Sequence, residues 1–294
     1  MEFYIGRFKG VEQRTYELEV ITPMFLGGAN PNKVELRVPP IKGMLRFWWR
    51  ALHPDLANNN YRELRKGESD LFGDAGDTYG KSRVKIQFSD IYNLQCGDFR
   101  PLPHSDAKKF QFKCFNPASK FKIIVTGHEN IHKLFEFSLI LGGLGKRSRR
   151  GFGSLLFESG YDNLLDKLLD FTEKINPENI YKKSDTDNKE EIEISKDYPE
   201  ACYPYLKKIQ IGKKYRDMEC LLKIIGNSSH NNNSDYTGFA KGSLRFSSPI
   251  YVSITKKNSA YVPVISTLNP SFDTRQNQQS PIPDKSESFI AGII

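Results

Sequence analysis

Residues 128–157 read HENIHKLFEFSLILGGLGKRSRRGFGSLLF. The run from Leu134 to Leu141 is strongly apolar, so we predict a core helix over about 128–141. Residues 142–153 then hold five glycines and four cations, and the apolar residues after them predict a strand. A buried helix that returns to a strand through a glycine-rich loop favours an α+β domain.

Outward from this stretch, alternating apolar and polar residues predict further strands. A pair of prolines at 39–40 ends one strand and suits the first turn of a helix. The order before the loop is predicted as strands at 16–22 and 34–38, a helix at about 41–53, strands at 83–91 and 119–126, and the helix at 128–141. This order predicts an α+β domain rather than a doubly wound one.

The second half of the chain gives weaker patterns. Our predictions there are an amphipathic helix at 161–174, an acidic loop or linker at 182–197, mixed signals at 207–225, a polar loop at 227–238, a strand at 244–254 and little regular structure from 266 to Phe289. Residues 42–47 (KGMLRF) and 241–246 (KGSLRF) form a short echo, which is weak support for two related halves.

Charge is unevenly distributed along the 294 residues. The formal net charge is +8 with a pI of about 9.1, which favours polyanionic partners such as nucleic acid. Residues 161–200 hold twelve acidic and six basic residues, a local net charge of −6, so the remaining residues carry +14. Basic charge is therefore concentrated outside that segment.

Four cysteines, at 96, 114, 202 and 220, form no CxxC pair and no zinc-ribbon spacing. We expect them to be reduced, buried thiols. The first ten residues lack the apolar run of a signal peptide, and no stretch approaches the roughly 20 apolar residues of a membrane span. These features predict a cytoplasmic location with no membrane partner.

The glycine-rich loop is the clearest candidate site. Glycines such as Gly143 and Gly145 let a backbone approach phosphate closely, and the neighbouring cations match phosphate oxygens. The cations are Lys146, Arg147, Arg149 and Arg150. The loop does not match the nucleotide P-loop or the GxGxxG pattern. We interpret it as a clamp for the nucleic-acid backbone, against the alternative of a flexible turn with incidental charge.

The predicted helix at 41–53 carries a basic stripe. At 3.6 residues per turn, Lys42, Arg46 and Arg50 share one face. The stripe is either a second RNA-binding surface or a solvated outer face, and the Trp48–Trp49 pair is expected in the core. The echo adds Lys241 and Arg245 as RNA-binding candidates.

His128, Glu129 and His132 match the zinc-peptidase pattern HExxH. Thr126 and Glu129 also match a capping box, which predicts a structural role for Glu129 at the helix start. A zinc-dependent hydrolase is thus an alternative, but we expect no metal or cofactor. His53, at the end of the basic helix, is the nearest candidate for the general base of a metal-free ribonuclease.

Segments 21–52 (ITPMFLGGANPNKVELRVPPIKGMLRFWWRAL) and 141–155 (LGGLGKRSRRGFGSL) resemble the RAMP superfamily of CRISPR-associated proteins. Within it they are most similar to the first-numbered subunits of type III-B Cmr effector complexes. The matching features are the LGG strand end, the basic tryptophan helix, the glycine-rich loop and an E-LFG element formed by Glu68, Leu71, Phe72 and Gly73. The second half of the chain matches poorly.

This resemblance implies two tandem ferredoxin-like (RRM-like) domains with antiparallel sheets, at 1–158 and 159–294. It also implies a non-catalytic subunit that contacts guide RNA and target RNA near the guide 3′ end, beside other Cmr-complex subunits. Carried over by position, Lys42, Arg46 and Arg50 on the helix and the loop cations would face RNA in one groove. The alternatives are a metal-independent processing endoribonuclease of the same superfamily and an assembly scaffold that binds no RNA alone.

Overall fold

A computed structural model of the chain describes most of its residues. The described residues are 10–30, 33–57, 61–74, 80–104, 110–157, 163–184, 190–201, 203–234, 236–241, 244–269 and 284–294. None of the helices in these ranges is long and apolar enough to cross a membrane.

The first half of the chain builds a four-stranded antiparallel sheet with helices packed on it. Its elements in chain order are β1 (Glu12–Val20), α1 (Val38–Ala51), α2 (Pro54–Ala57), α3 (Tyr61–Phe72), β2 (Lys85–Asn93), β3 (Cys96–Phe99), β4 (Phe112–Phe115), β5 (Lys120–Gly127), α4 (Glu129–Leu141) and β6 (Leu155–Leu156). The strand order β2-β5-β1-β6 is the ferredoxin-like arrangement, with the β3-β4 hairpin added as a separate ribbon.

The second half repeats this plan with one change. Its elements are α5 (Leu164–Ile175), β7 (Tyr181–Lys183), β8 (Glu191–Ile194), β9 (Leu206–Ile211), α6 (Met218–Asn231), β10 (Phe239–Lys241), β11 (Leu244–Phe246), β12 (Ile250–Lys257), β13 (Ala260–Leu268) and α7 (Ser286–Ala291). The sheet order is β12-β13-β9-β8-β7. In the second sheet the strand beside β9 is β8, which precedes β9 in the chain. In the first sheet the corresponding strand, beside β1, is β6, which follows α4.

Helix α4 is the centre of the molecule. It packs on α1 and β5 of the first half and on α5, β12 and β13 of the second. Ten of its thirteen residues are buried, which explains why its sequence is apolar nearly all round. At its end Ser253 Oγ donates to the carbonyl of Ile140 (2.5 Å). The two sheets therefore share one continuous core.

The α+β fold and the predicted order of the main elements are confirmed. The strand predicted at 34–38 is wrong, because Val38 already begins α1 and Val34 makes only an isolated bridge to Gly27. The two prolines occupy the first turn of α1, where their missing N–H groups cost no helical hydrogen bond. The predicted boundary at 158–159 falls outside the described residues and stays a prediction.

Several polar segments are more ordered than their composition indicated. Helix α3 lies in a polar stretch where the sequence predicted no helix, and α6 continues to Asn231, into the predicted loop at 227–238. The acidic segment at 182–197 supplies β7 and β8, while residues 185–189 lie outside the described part. Each short strand gains stability from pairing that no local pattern reveals.

Two smaller expectations also changed. Of the cysteines, Cys114 is buried but Cys96 and Cys220 are exposed, and Cys202 lies outside the described residues. The echo is not a structural repeat, because residues 42–47 lie in α1 whereas Lys241 ends β10 and residues 244–246 form β11.

Candidate nucleic-acid interface

A cleft of about 560 Å³ lies where the glycine-rich loop faces α1 and the turn after β1. We call it the cation cleft. Its main walls are residues 25–28 after β1, the side of α1 that carries Met44 and Phe47, and residues 142–146 of the loop. Residues 33–34, 112–113, Ser148 and Tyr251 complete the lining. Its volume falls within the range of about 300–1,000 Å³ that is typical of ligand sites.

The cleft is basic. Lys33, Lys113 and Lys146 line it, and none of its described lining residues is acidic. Lys146 is exposed and lies over the Phe112 ring, 4.6 Å from its centroid. Lys113 shares an exposed ion pair with Asp98 (2.6 Å), which is readily broken in water. Three mobile ammonium groups are therefore available to an anion here.

The glycines of the loop are required first by the protein's own packing. Gly145 has φ +90°, and a Cβ there would collide with the Phe25 backbone. A Cβ on Gly143 would come within 2.7 Å of the Phe152 carbonyl. The N–H groups of Gly143, Gly145 and Ser148 nevertheless donate to no acceptor in the described chain. The loop thus leaves backbone donors beside the lysines, as phosphate binding requires.

The four loop cations point to different places, although sequence predicted one clamp. Only Lys146 lines the cation cleft. Arg149 Nη1 donates to the Ser248 carbonyl (2.5 Å), and its guanidinium lies 4.5 Å from the Tyr251 ring centroid. Arg147, at φ 61°, does not line the cleft and is partly buried, which lowers its pKa, and its Nε has no hydrogen-bond partner among the described residues.

Arg150 joins the two halves of the protein. Its guanidinium donates to Ser229 Oγ (2.8 Å) and to the carbonyls of Arg149 (2.9 Å), Ile250 (2.9 Å) and Thr237 (2.8 Å). Burial, together with the charges of Arg147 and Arg149, lowers the pKa of Arg150 to about 9. The side chain remains a cation at neutral pH, and four of its five N–H donors are already used.

Two of the three helix cations are also occupied. Arg46 Nη1 and Arg50 Nη1 both donate to Glu68 Oε1, at 3.1 and 2.6 Å, and the Glu68 side chain is only 8% exposed. Arg46 Nη2 further donates to the carbonyls of Phe72 (3.0 Å) and Gly73 (2.7 Å). This network gives the E-LFG element a structural purpose, since it anchors α3 to α1. Lys42 makes no ion pair with any described residue.

The basic stripe of α1 therefore does not face the loop. Met44, Phe47 and Trp48 lie on the opposite side of the helix and line the cation cleft, while Arg46 and Arg50 turn towards α3. Trp48 and Trp49 are buried, as predicted. Sequence reasoning missed Lys33 and Lys113, and the only sequence signal for Lys33 was its position five residues after the LGG turn.

Lys241 and Arg245 lie on the β10-β11 hairpin, where Ala240 pairs with Arg245 and Lys241 with Leu244. The hairpin continues into Phe246 and Ser247, which line a second, smaller cavity.

The HExxH residues serve the packing of α4 on β1. His128 Nδ1 donates to the Gly10 carbonyl (3.0 Å), and Glu129 pairs with Arg14. His132 is fully buried, with Nε2 3.3 Å from the Glu12 carbonyl and Nδ1 3.1 Å from the Tyr16 hydroxyl. The predicted capping box is wrong, because His128 is the N-cap and makes no side-chain cap bond. Among the described residues, no group of three ligating side chains could hold a metal.

His53, the candidate general base, is buried rather than set in a groove. Its Nδ1 donates to the Trp49 carbonyl (2.6 Å), and its ring stacks on Trp49 with 4.2 Å between centroids. Burial lowers its pKa.

Comparison with known proteins identifies the family. The family model described as the RAMP superfamily matches residues 17–157. The CRISPR system Cmr subunit Cmr1-2 of Pyrococcus furiosus is 30% identical over 176 residues, which are 48% of this chain and 92% of that protein. The chain belongs to the RAMP superfamily. Subunit Cmr1-1 of the same organism is 28% identical to this RAMP protein over 171 residues, 52% of the chain and 47% of the relative.

Solved structures show the same fold. The apo crystal structure of Cmr1 from Pyrococcus furiosus superposes on this RAMP protein with a TM-score of 0.60 and 18% identity, covering 96% of each chain. A chain of the type III-B Cmr-beta complex, solved bound to cognate target RNA and AMPPnP, gives a TM-score of 0.53 at 14% identity and covers 87% and 94% of the two chains. The sequence relatives and these superpositions make the chain a Cmr1-like RAMP protein.

Proposed function

We propose that this RAMP protein is a non-catalytic, RNA-binding subunit of a type III-B CRISPR (Cmr) effector complex, contacting guide and target RNA near the guide 3′ end in antiviral defence. The similarity to curated Cmr1 subunits supports membership of such a complex. A structural neighbour solved with cognate target RNA supports RNA as a ligand. Other Cmr-complex subunits are then its protein partners.

The observation that carries the proposal is the cation cleft. Three lysines, and three residues whose backbone N–H groups have no described acceptor, line one open space that no described acidic residue lines. These are the donors that bind a sugar-phosphate backbone without reading its sequence. Lys33 and Lys146 are the principal phosphate contacts, and the amides of Gly143 and Gly145 add short-range donors.

In this proposal Arg149 lies at the edge of the RNA path. Three other cations that the sequence predicted to bind RNA do not contact it. Arg46, Arg50 and Arg150 already donate to internal acceptors, so the free energy of freeing them would oppose RNA binding. The cleft binds RNA and performs no chemistry on it. Of the candidates for catalysis, His53 and His132 are buried, and Glu129 is paired with Arg14 at the surface.

The test is RNA binding by a Lys33→Gln/Lys146→Gln double variant. Fluorescence anisotropy with a labelled single-stranded RNA should show affinity reduced by about tenfold or more at low salt. The slope of log K against log salt should become shallower by about 1.4, because each phosphate contact on a single strand contributes about 0.7. RNA recovered from these mixtures should be intact.

The matched control is Lys85→Gln/Lys174→Gln, which removes the same charge from exposed positions outside the cleft. It should lose little affinity. Equal losses in the two double variants would mean that net charge, rather than the cleft, holds the RNA, and the proposal would then be wrong.

A further inference from the structure

A second cavity adjoins the cation cleft. It measures about 250 Å³ and is lined by the aromatic rings of Phe47, Tyr203, Phe246 and Tyr251, with Arg149 and Asn269. We call it the aromatic pocket. Pro204 and Pro249 complete its apolar wall. It lies where α1 of the first half meets the β11-β12 connection of the second.

The size of the aromatic pocket restricts its occupant. Drug-sized ligands occupy sites of about 300–1,000 Å³, so 250 Å³ suits one ring system rather than a whole nucleotide. A wall of aromatic rings and prolines favours a flat apolar face over a charged group. Stacking of an unpaired base between aromatic side chains is how proteins commonly bind single-stranded RNA.

The position of the pocket points to the same ligand. Phe47 and Tyr251 line both the cation cleft and the aromatic pocket, so the two cavities share a wall. The rings of these residues lie 5.1 Å apart at 32°. A strand held by its phosphates in the cleft would pass this wall, and one base turned away from the strand would reach the pocket.

The aromatic walls are held in place without a ligand. Arg50, fixed by Glu68, lies over the Tyr203 ring at 4.8 Å. Arg149, fixed by the Ser248 carbonyl, lies over the Tyr251 ring at 4.5 Å. Rings that are already ordered lose little conformational entropy when a base binds between them. Arg50 is thus a positioning residue for the pocket and not an RNA contact.

One polar group is available at the pocket wall. The Tyr205 N–H donates to Asn269 Oδ1 (2.6 Å), which fixes the orientation of that amide. The Nδ2 group of Asn269 then has no acceptor among the described residues. It can donate to a carbonyl oxygen or ring nitrogen on the edge of a base.

From this geometry we infer that the aromatic pocket binds one unstacked nucleobase of the RNA strand whose backbone occupies the cation cleft. The inference rests on the proposed function, since it names how the same interface holds a base. It predicts that one position of the bound strand contributes through its base, whereas the others contribute chiefly through phosphates.

The experiment is an abasic scan with the wild-type protein. A set of labelled single-stranded RNAs, each lacking one base, is titrated by fluorescence anisotropy. We expect about a tenfold loss of affinity for an abasic site at one position, a size in keeping with base–aromatic stacking. Salt dependence should be the same for every RNA of the set, since all keep their phosphates.

Variants then assign the effect to the pocket. Tyr203→Ala should bind intact RNA about tenfold more weakly and lose its sensitivity to the abasic position, while Tyr203→Phe, which keeps the ring, should behave as wild type. Tyr61→Ala is the matched control, because Tyr61 is exposed and lines neither cavity.

The outcomes separate this inference from the function on which it rests. If every abasic RNA binds as well as intact RNA, and binding still depends on Lys33 and Lys146, the aromatic pocket holds no base and the RNA-binding function stands. If intact RNA does not bind or binds independently of those lysines, the function itself fails. The wild-type scan gives this answer even if Tyr203→Ala does not fold.

Discussion

The inner arginines and the outer lysines of this protein carry the same charge but do different work. Arg46, Arg50 and Arg150 turn inward and donate to Glu68 or to backbone carbonyls. Lys33 and Lys146 turn outward into the cation cleft and make no ion pair with a described residue. The difference teaches that a cation near a glycine-rich loop can bind a ligand only if the protein's own acceptors do not already use its N–H donors.

The chemistry of the two side chains explains this division. A guanidinium presents five N–H donors in a fixed plane, so it can satisfy several carbonyls at once, as Arg150 does for Ile250 and Thr237. An ammonium group is compact and strongly hydrated, so it is stable at an exposed position, from which it can bind a phosphate as a point charge. Arg150 thus joins the two halves, whereas the lysines line the cation cleft.

The largest effect expected from this comparison is on stability. Arg150→Met should lower the free energy of unfolding by about 3 kcal/mol, because three carbonyls and the Ser229 hydroxyl lose their donor at a partly buried junction. Urea denaturation followed by tryptophan fluorescence measures it. Arg149→Met, which removes one hydrogen bond, should cost about 1 kcal/mol or less. Similar values for the two variants would show that Arg150 is not the junction we describe.

A second, smaller effect concerns the acidic partner of α1. Glu68→Gln should lower the free energy of unfolding by about 2 kcal/mol, since Arg46 and Arg50 lose the carboxylate that balances both charges. Asp70→Asn is the control: Asp70 lies on the same helix but pairs with Arg83 at the surface, and its loss should cost under about 0.5 kcal/mol. If Glu68→Gln is as mild as the control, the inner arginines are not held by charge balance.

The fold was largely predictable because most of its main elements have a recognisable pattern of apolar and polar residues in the sequence. Helix α4 and strands β1 and β5 show their apolar periodicity in the sequence, and the structure places them within a few residues of the prediction. Strands β3, β4, β7 and β8 were missed because each is three or four residues long and is stabilised by its partner strand. Segment 34–38 shows the opposite error. Its residues alternate as in a strand, but Val34 makes only an isolated bridge and α1 already begins at Val38.

The candidate site was predictable only in outline. The glycine-rich loop was found from its composition, and it does form one wall of the cation cleft. The side to which each cation turns depends on acceptors far away in sequence, such as Ile250 for Arg150 and Glu68 for Arg50, so no local pattern encodes it. Tyr203 and Tyr251 were missed for the same reason, since they meet Phe47 only once the two halves have packed.

The smallest effect tests the outer lysines directly. Lys33→Gln/Lys146→Gln should leave the free energy of unfolding unchanged to within about 0.5 kcal/mol, because exposed cations contribute little to stability. The contact of Lys146 with Phe112 accounts for most of any loss, since a cation over an aromatic ring at the surface contributes about 0.5 kcal/mol. Urea denaturation at low and high salt gives the value. A loss as large as that of Arg150→Met would place these lysines in the fold itself, and their effect on RNA affinity would then report unfolding rather than lost phosphate contacts.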